Sequence, residues 1–257
     1  LYVLAGSYDN YMHCVSLDSG KLKWKYETQN YVNGAPGIAD GKIYFGGCDA
    51  QIYGIKTEDG KIHTTMDAEN YIANSIVVVD SVAYVAHHGN RVAAFDLKKK
   101  KQIWEFGERD FPYFSSPAVT KDSVFAAGRD KRLYKINRKS GDGIWEFKTG
   151  NGIESSPVVS GDNVFVGSGD GSIYAVNIKS GKEKWSFELG DNIRSSPAIV
   201  DGKLVIGLLY NSKKCKKADI NKINTNEITG KFCSFKNDIP LEEMNIGMGD
   251  IFIRMAR

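Results

Sequence analysis

The 257-residue chain has a formal net charge of +3, because 34 Lys and Arg nearly balance 31 Asp and Glu. That balance argues against nucleic acid or an anionic membrane as the main partner, and no apolar run of about 18 residues exists to form a transmembrane helix. The four cysteines, Cys14, Cys48, Cys215 and Cys233, lack CxxC or CxxH spacing, which argues against a zinc site and a dense disulfide framework.

The chain opens on an apolar, strand-like stretch from Leu1 to Leu4, without an initiator Met or the basic and apolar regions of a signal peptide. We therefore expect a fragment of a longer protein whose own start is missing. Residues 1–28 predict three strands, and Trp24 near their end is the first member of a repeating column.

Internal repetition is the strongest signal along the chain. Trp24, Trp104, Trp145 and Trp185 are separated by 80, 41 and 40 residues, and Thr64 takes the missing position between the first two. Three more columns keep this spacing. They are Gly20, Gly60, Lys100, Gly141 and Gly181; Pro36, Ile76, Pro117, Pro157 and Pro197; and Asp9, Asp49, Gly89, Asp130 and Asp170.

Each unit of about 40 residues predicts four short antiparallel strands, as in SSPVV, NVFVGS, SIYAVN and EKWSFE between Ser155 and Glu188. Gly, Asp and Ser at the reversals favour tight turns. Such a unit has the size of one β-propeller blade, whose sheet buries both faces only against neighbours. The predicted fold class is all-β, with a partial blade at 1–28, blades at about 29–68, 69–108, 109–149 and 150–189, and a partial blade at 190–207.

The tryptophan column predicts structural docking between blades. A large indole on an outer strand can lie against the adjacent blade and bury roughly 150 to 250 Å². Threonine is too short for this, so the seam at Thr64 should be the loosest. The Asp column predicts turns, in which the carboxylate accepts hydrogen bonds from turn amides, in preference to ligand binding.

A candidate binding mouth lies just before the Pro column. The residues there differ in chemistry from unit to unit: Asn33, Ala73, Phe114, Glu154 and Arg194. The neighbouring column is apolar throughout: Val32, Ile72, Tyr113, Ile153 and Ile193. Variation at a fixed place on a rigid scaffold favours recognition by Asn33, Phe114, Glu154 and Arg194, and not by the hairpins that carry Asp49, Asp130 and Asp170. The alternative is an ordinary polar rim in which Glu154 and Arg194 pair across blades.

Nothing in the sequence marks a catalytic or metal centre. No GxSxG, HExxH, phosphate-loop or dinucleotide motif occurs. Adjacent residues on a strand point to opposite faces, so His87 and His88 cannot easily share a metal, and we expect them in an exposed turn. Cys14 and Cys48 are expected on strands of adjacent blades, where buried thiols are common.

The repeat stops after Gly207. From residue 208 to 257 no column recurs and strand alternation is poor. Two interpretations stay open: a native appended segment, which could be disordered, and out-of-frame translation. We expect the cluster Lys213, Lys214, Lys216 and Lys217 to be a solvated loop and not a binding patch.

The repeat resembles a known family. SLDSGKLKW, INRKSGDGIW and VNIKSGKEKW look like the tryptophan-docking motif of pyrroloquinoline-quinone-type (PQQ-like) propellers, and the SSP and GDG segments are similar to the rest of that repeat. The resemblance spans Leu1 to about Gly207. It implies about five repeats that form an arc of a larger seven- or eight-bladed ring. A five-blade closure that pairs residues 1–28 with the strand at Pro197 is an alternative.

The resemblance implies a non-catalytic scaffold or binding module. We expect a protein or polymer partner and a periplasmic, outer-membrane-associated or extracellular location. One alternative is a fragment of a quinone-dependent dehydrogenase, which would need a PQQ stacked on a Trp and a calcium ion. All four Trp already belong to the docking column, and no adjacent cysteines occur, so we expect no cofactor. A second alternative is the sensor domain of a larger signalling protein.

Overall fold

The computed structural model describes residues 1–107, 109–200, 203–207 and 253–256. Within these ranges every regular element is a β-strand. No helix in the described part of the chain is long and apolar enough to cross a membrane.

The strands form sheets that follow one another along the chain, and we call them blades 1 to 6. Blade 1 contains β1 (Tyr2–Gly6), β2 (Tyr11–Ser16) and β3 (Leu22–Glu27). Blade 2 contains β4 (Gly37–Ala39), β5 (Lys42–Gly46), β6 (Gln51–Lys56) and β7 (Ile62–Asp67). Blade 3 contains β8 (Val77–Val79), β9 (Val82–His87), β10 (Arg91–Asp96) and β11 (Lys101–Phe106).

Blade 4 contains β12 (Ala118–Val119), β13 (Ser123–Gly128), β14 (Arg132–Asn137) and β15 (Gly143–Lys148). Blade 5 contains β16 (Val158–Ser160), β17 (Asn163–Gly167), β18 (Ser172–Asn177) and β19 (Glu183–Glu188). Blade 6 has two described strands, β20 (Ala198–Val200) and β21 (Lys203–Val205). The four strands of blades 2 to 5 pair antiparallel in chain order, so the predicted all-β propeller architecture is confirmed.

A short strand near the end of the chain joins blade 1. β22 (Ile253–Ala256) pairs antiparallel with β1, with Tyr2 opposite Ala256. It takes the innermost position that β4, β8, β12 and β16 hold in blades 2 to 5. β20 pairs with β21 and not with blade 1, so the alternative five-blade closure through the strand at Pro197 is wrong for the described residues. The remaining expectations for the segment after Gly207 concern residues 208–252 and 257, which lie outside the described residues.

The hydrophobic core is divided among the seams between blades. One cluster joins Leu4 and Met12 of blade 1 to Ile43 and Phe45 of blade 2. Later clusters join blades 2 and 3, 3 and 4, 4 and 5, and 5 and 6 in the same way. The second strand of a blade is therefore apolar on both faces, and all six residues of β13 are buried. Outer strands alternate between exposed and buried positions, as in β7, because only one of their faces meets a neighbour.

Candidate functional site

The tryptophan column lies in the seams. Trp24 is 8% exposed, and its indole Nε1 donates to the carbonyl oxygen of Thr57 in blade 2 at 3.0 Å. The ring also packs on Gly60, which has a φ of 71°. Trp104 and Trp145 repeat this arrangement, with Nε1 donating to Arg138 and Ile178 and with the rings against Gly141 and Gly181. Trp185 is half-buried against Phe165 of its own blade.

A second set of contacts crosses the seams at the innermost strands. The amide of Ser75 donates to Ser116 Oγ, and the amide of Ser116 donates to Ser156 Oγ, both at 2.9 Å. Two more hydrogen bonds continue the series at 2.9 Å: the amide of Ala35 donates to Ser75 Oγ, and the amide of Ser156 donates to Ser196 Oγ. The second serine of each SSP segment is therefore the acceptor for the preceding blade. We call this series the serine ladder.

The Asp column forms turns, as expected. Asp170 Oδ1 accepts the amide of Ser172 at 2.9 Å, and its Oδ2 accepts the amide of Gly150 and the hydroxyl of Tyr174. Burial and this carboxylate raise the pKa of Tyr174 to about 12. Asp49 with Tyr53 and Asp130 with Tyr134 form equivalent pairs, and in blade 1 His13 replaces the tyrosine. Blade 3 has neither member of this pair, because Gly89 and Ala93 occupy the two positions.

The segments between blades and the turns between second and third strands share one face of the propeller. The crossing segment at residues 28–36 lies between two such turns: Val32 N donates to Ser7 O, and Cys48 N donates to Tyr31 O. The amide of Ile153 donates to Gly128 O and the amide of Gly169 donates to Gly152 O, which repeats this arrangement three blades later. Backbone hydrogen bonds therefore join the mouth column and the Asp hairpins into one surface, and the predicted preference for the mouth concerns two neighbouring parts of the same face.

Three of the four predicted mouth residues lie in one line of contacts. Arg129, in the turn of blade 4, donates from Nε and Nη2 to Glu154 Oε1 at 2.9 and 2.6 Å. Glu154 Oε2 lies 3.5 Å from Nε of Arg194. The Arg129 guanidinium also lies 3.8 Å from the centre of the Phe114 ring. Asn33 lies apart and donates to Cys48 Sγ at 3.5 Å.

Aromatic residues extend the line toward blade 1. The ring of Phe114 meets His88 at 4.5 Å, and His88 meets Tyr71 at 4.9 Å. Tyr8 and Tyr31 form another pair at 4.9 Å. Tyr8, Tyr31 and Tyr71 are 45 to 48% exposed although each of them has an aromatic neighbour. We call the whole set the mouth surface: Tyr8, Tyr31, Asn33, Tyr71, His88, Phe114, Arg129, Glu154 and Arg194.

Sequence reasoning missed Arg129 and His88 as members of this surface. Both stand directly before the Asp column, at a position that reads Tyr8, Cys48, His88, Arg129 and Gly169. This position varies in chemistry as much as the predicted mouth column does. The same criterion, applied to the residue before each turn Asp, would have found them.

The expectation of an exposed histidine turn is wrong for His87. Its ring is 5% exposed, and its Nδ1 accepts the amide of Gly89, as Ser7 and Ser168 Oγ accept the equivalent amides in other blades. Burial lowers the pKa of His87; the charge of Glu105 opposes this effect, and the charge of Arg91 adds to it. Burial also lowers the pKa of His88, with a contribution from Arg129. Cys14 lies on a strand, but Cys48 lies in a turn.

The arrangement offers stacking and ionic contacts. Among the described residues no group of three or more His, Cys, Asp or Glu side chains is placed to hold a metal ion. The mouth surface presents tyrosine rings at one end and two arginines with one glutamate at the other. Such chemistry suits recognition, because Tyr and Arg are enriched in protein interfaces.

Comparisons with known proteins agree with this architecture. Residues 1–112 and 88–214 match the family described as outer membrane protein assembly factor BamB. BamB from Moraxella catarrhalis superposes with a TM-score of 0.66 at 13% identity, over 78% of this chain and 67% of that one. The computationally designed Ika8 protein gives 0.71 at 13% identity, over 80% of this chain and 64% of the designed one. This chain thus spans about two thirds of each, and the likeness shows a shared fold. No match was found among curated proteins.

Proposed function

The chain belongs to the BamB-like family of PQQ-type propellers, and on this premise we propose that it is a non-catalytic scaffold whose mouth surface binds a protein partner in the cell envelope. The observation that carries the proposal is the continuous line of contacts from Tyr71 through His88, Phe114 and Arg129 to Glu154. Side chains from successive blades converge there on one face.

The side chains of the mouth surface change from aromatic to charged between blade 1 and blade 6. Its blade 1 to 3 part presents tyrosine rings, which offer large contact area at low entropic cost. Its blade 4 to 6 part presents Arg129, Glu154 and Arg194. Arg194 is the most available of these, with 61% of its side chain exposed and its Nε 3.5 Å from Glu154. A partner segment that is apolar at one end and carries a carboxylate at the other fits this gradient.

The scaffold beneath the surface supports recognition by fixed side chains. The crossing segments are tied on both sides by turn hydrogen bonds, and the serine ladder holds the inner strands in register. Rigid presentation lowers the entropy lost on binding. The relatives' description as an outer membrane assembly factor supports an envelope protein as the partner.

Photo-crosslinking tests the proposal directly. A photoreactive residue placed at Tyr71 or at Arg194 should crosslink to the same envelope protein, because both positions contact one partner. The control is a photoreactive residue at Lys179, in a turn at the other end of the blade strands, which should not give this product. Unlabelled wild-type protein should compete for the product, and Arg194→Glu should compete at least about tenfold less well. Different products from Tyr71 and Arg194, or equal competition by Arg194→Glu, would reject the mouth assignment.

We also propose that the chain works without PQQ or calcium. Three of the four Trp are committed to seams through indole hydrogen bonds, which leaves their rings unavailable as a quinone floor. Adding PQQ and Ca²⁺ to the protein should therefore produce no bound-quinone absorbance after gel filtration. A stoichiometric quinone spectrum that survives filtration would favour the dehydrogenase alternative.

A further inference from the structure

The seam between blades 2 and 3 lacks the staple that neighbouring seams have. Thr64 stands where blades 1, 3 and 4 have a docking Trp, and Lys100 stands where the following blade has the glycine under that Trp. Lys100 keeps the left-handed backbone of that turn, with a φ of 55°. A non-glycine residue there is strained by roughly 1 kcal/mol. Both members of a stabilising pair are thus replaced at this seam, and the residue that replaces the glycine carries a positive charge.

The turns at this seam carry several lysine side chains. Lys98, Lys100 and Lys101 are exposed around the turn that leads into β11, and Lys56 is exposed at the end of β6 in blade 2. Within the described part of the chain none of these four forms an ion pair. Among the nearby acids, Asp96 accepts the amides of Lys98 and Lys99. Asp59 pairs with Lys61 at 3.3 Å.

The lysines of the two blades share one electrostatic environment. His63, on β7 of blade 2, has its pKa lowered by burial and then by the charges of Lys42, Lys100 and Lys56. The turn that carries Lys98 and Lys100 is the counterpart of the turn whose Thr57 carbonyl accepts Trp24 of the preceding blade, so it lies against β7 of blade 2.

Each of the two outer strands at this seam also carries an exposed aliphatic side chain. Ile62 at the start of β7 and Ile103 on β11 are each 46% exposed. We call the set the basic rim: Lys56, Ile62, Lys98, Lys100, Lys101 and Ile103. Lysine stems can lie along an apolar surface while their amines reach anionic groups. A soluble polyanion would use the amines alone, whereas a lipid surface uses both the amines and the aliphatic side chains.

We propose that the basic rim is a peripheral docking site for an anionic bilayer surface. The amines bind lipid phosphates at the headgroup level, and Ile62 and Ile103 enter the boundary with the acyl chains. Electrostatic attraction combined with shallow apolar insertion is the physical basis of reversible membrane binding. The site lies on the rim between blades 2 and 3 and involves no residue of the mouth surface.

Vesicle sedimentation tests this proposal with a matched pair of variants. The protein should sediment with vesicles that contain phosphatidylglycerol and not with pure phosphatidylcholine vesicles, and added salt should release it. Lys98→Glu/Lys101→Glu should lower the partition coefficient at least about tenfold, because each lysine near an anionic surface accounts for about fivefold. Lys179→Glu/Lys182→Glu makes the same charge change at the equivalent turn of blade 5 and should lower it much less.

The aliphatic contribution is tested separately. Ile62→Ser/Ile103→Ser keeps every charge and should weaken vesicle binding at least about threefold, with far-ultraviolet circular dichroism and the melting temperature showing that the fold persists. The proposal is overturned if phosphatidylglycerol vesicles do not bind, or if the two charge-reversal variants lose binding equally. It is also overturned if the serine variant binds vesicles as wild type does while inorganic polyphosphate displaces them, since that result would indicate a soluble polyanion as ligand.

Discussion

The indole of Trp104 packs so closely on Gly141 of the next blade that a Cβ at position 141 would come within 2.8 Å of the ring. Gly141→Ala should therefore lower the free energy of unfolding by about 2 to 4 kcal/mol, from the combined cost of a positive φ and the displaced ring. Urea denaturation measures this change. Gly20→Ala is the matched control, because Gly20 has a φ of 65° with open space around its Cα. Equal losses in the two variants would show that docking adds nothing to backbone strain.

Docking at the seam between blades 2 and 3 should require changes to both Thr64 and Lys100. Thr64→Trp alone should give no stabilisation, because Lys100 lies where the indole needs glycine. Combined with Lys100→Gly, the new indole can donate to the carbonyl of Leu97, the position equivalent to Thr57 and Arg138. A double-mutant cycle by urea denaturation should give a favourable coupling of about 1 to 2 kcal/mol. Additive single effects would argue against docking at this seam.

Removing one serine hydroxyl should weaken two blades at once. Ser116→Ala leaves the amide of Ser75 without its acceptor, which should cost about 1 to 2 kcal/mol of unfolding free energy. Hydrogen exchange should speed up at the Ser75 amide in blade 2 and not at turns on the opposite face. Ser19→Ala, at an exposed turn, should change stability by less than about 0.5 kcal/mol. Unchanged exchange at Ser75 would contradict the role of the ladder.

The buried His87 should make the protein sensitive to acid. Its folded pKa is lowered by burial, so between that value and the ordinary value of about 6.5 the unfolded state binds more protons. Its contribution is constant above about pH 6.5 and becomes increasingly destabilising as pH falls below that value. His87→Ser, which introduces the residue that blades 1 and 5 carry at this position, should flatten the dependence of unfolding free energy on pH between about 5.5 and 7. Parallel curves for the two proteins would reject this assignment.

Much of the fold could be predicted because the same residue types recur at the same positions in each repeat. A column of Trp at constant spacing predicts a repeated docking site, and the column of Asp predicts turns that accept amides, as Asp49 and Asp170 do. Strand alternation is a local property, so each four-stranded unit could be read from a segment of about 40 residues. These predictions needed no knowledge of how blades meet.

What could not be predicted depends on contacts between units. The SSP segment is conspicuous in the sequence, but its second serine acts on an amide about 40 residues away, and nothing local indicates that partner. Arg129 precedes a structural Asp in the sequence. Only the fold shows that its guanidinium lies between Phe114 and Glu154. His87 was expected to be exposed because it stands in the hairpin before Gly89, whereas its neighbours bury it. The coupled replacement of Thr64 and Lys100 became visible only when the other seams showed that these positions touch.

The serine ladder and the docking indoles have the same direction: the earlier blade supplies the donor and the later blade the acceptor. A chain emerging from the ribosome therefore presents each finished blade with unmet N–H groups, which the next 40 or so residues satisfy as they arrive. Blades are added from the N-terminal to the C-terminal end, and the serine ladder recurs at each seam from blades 2 and 3 to blades 5 and 6, with docking indoles added at the seams of Trp104 and Trp145. A duplication or deletion of one whole unit preserves that chemistry at each junction, so such propellers can change their blade number in evolution without a new type of joint.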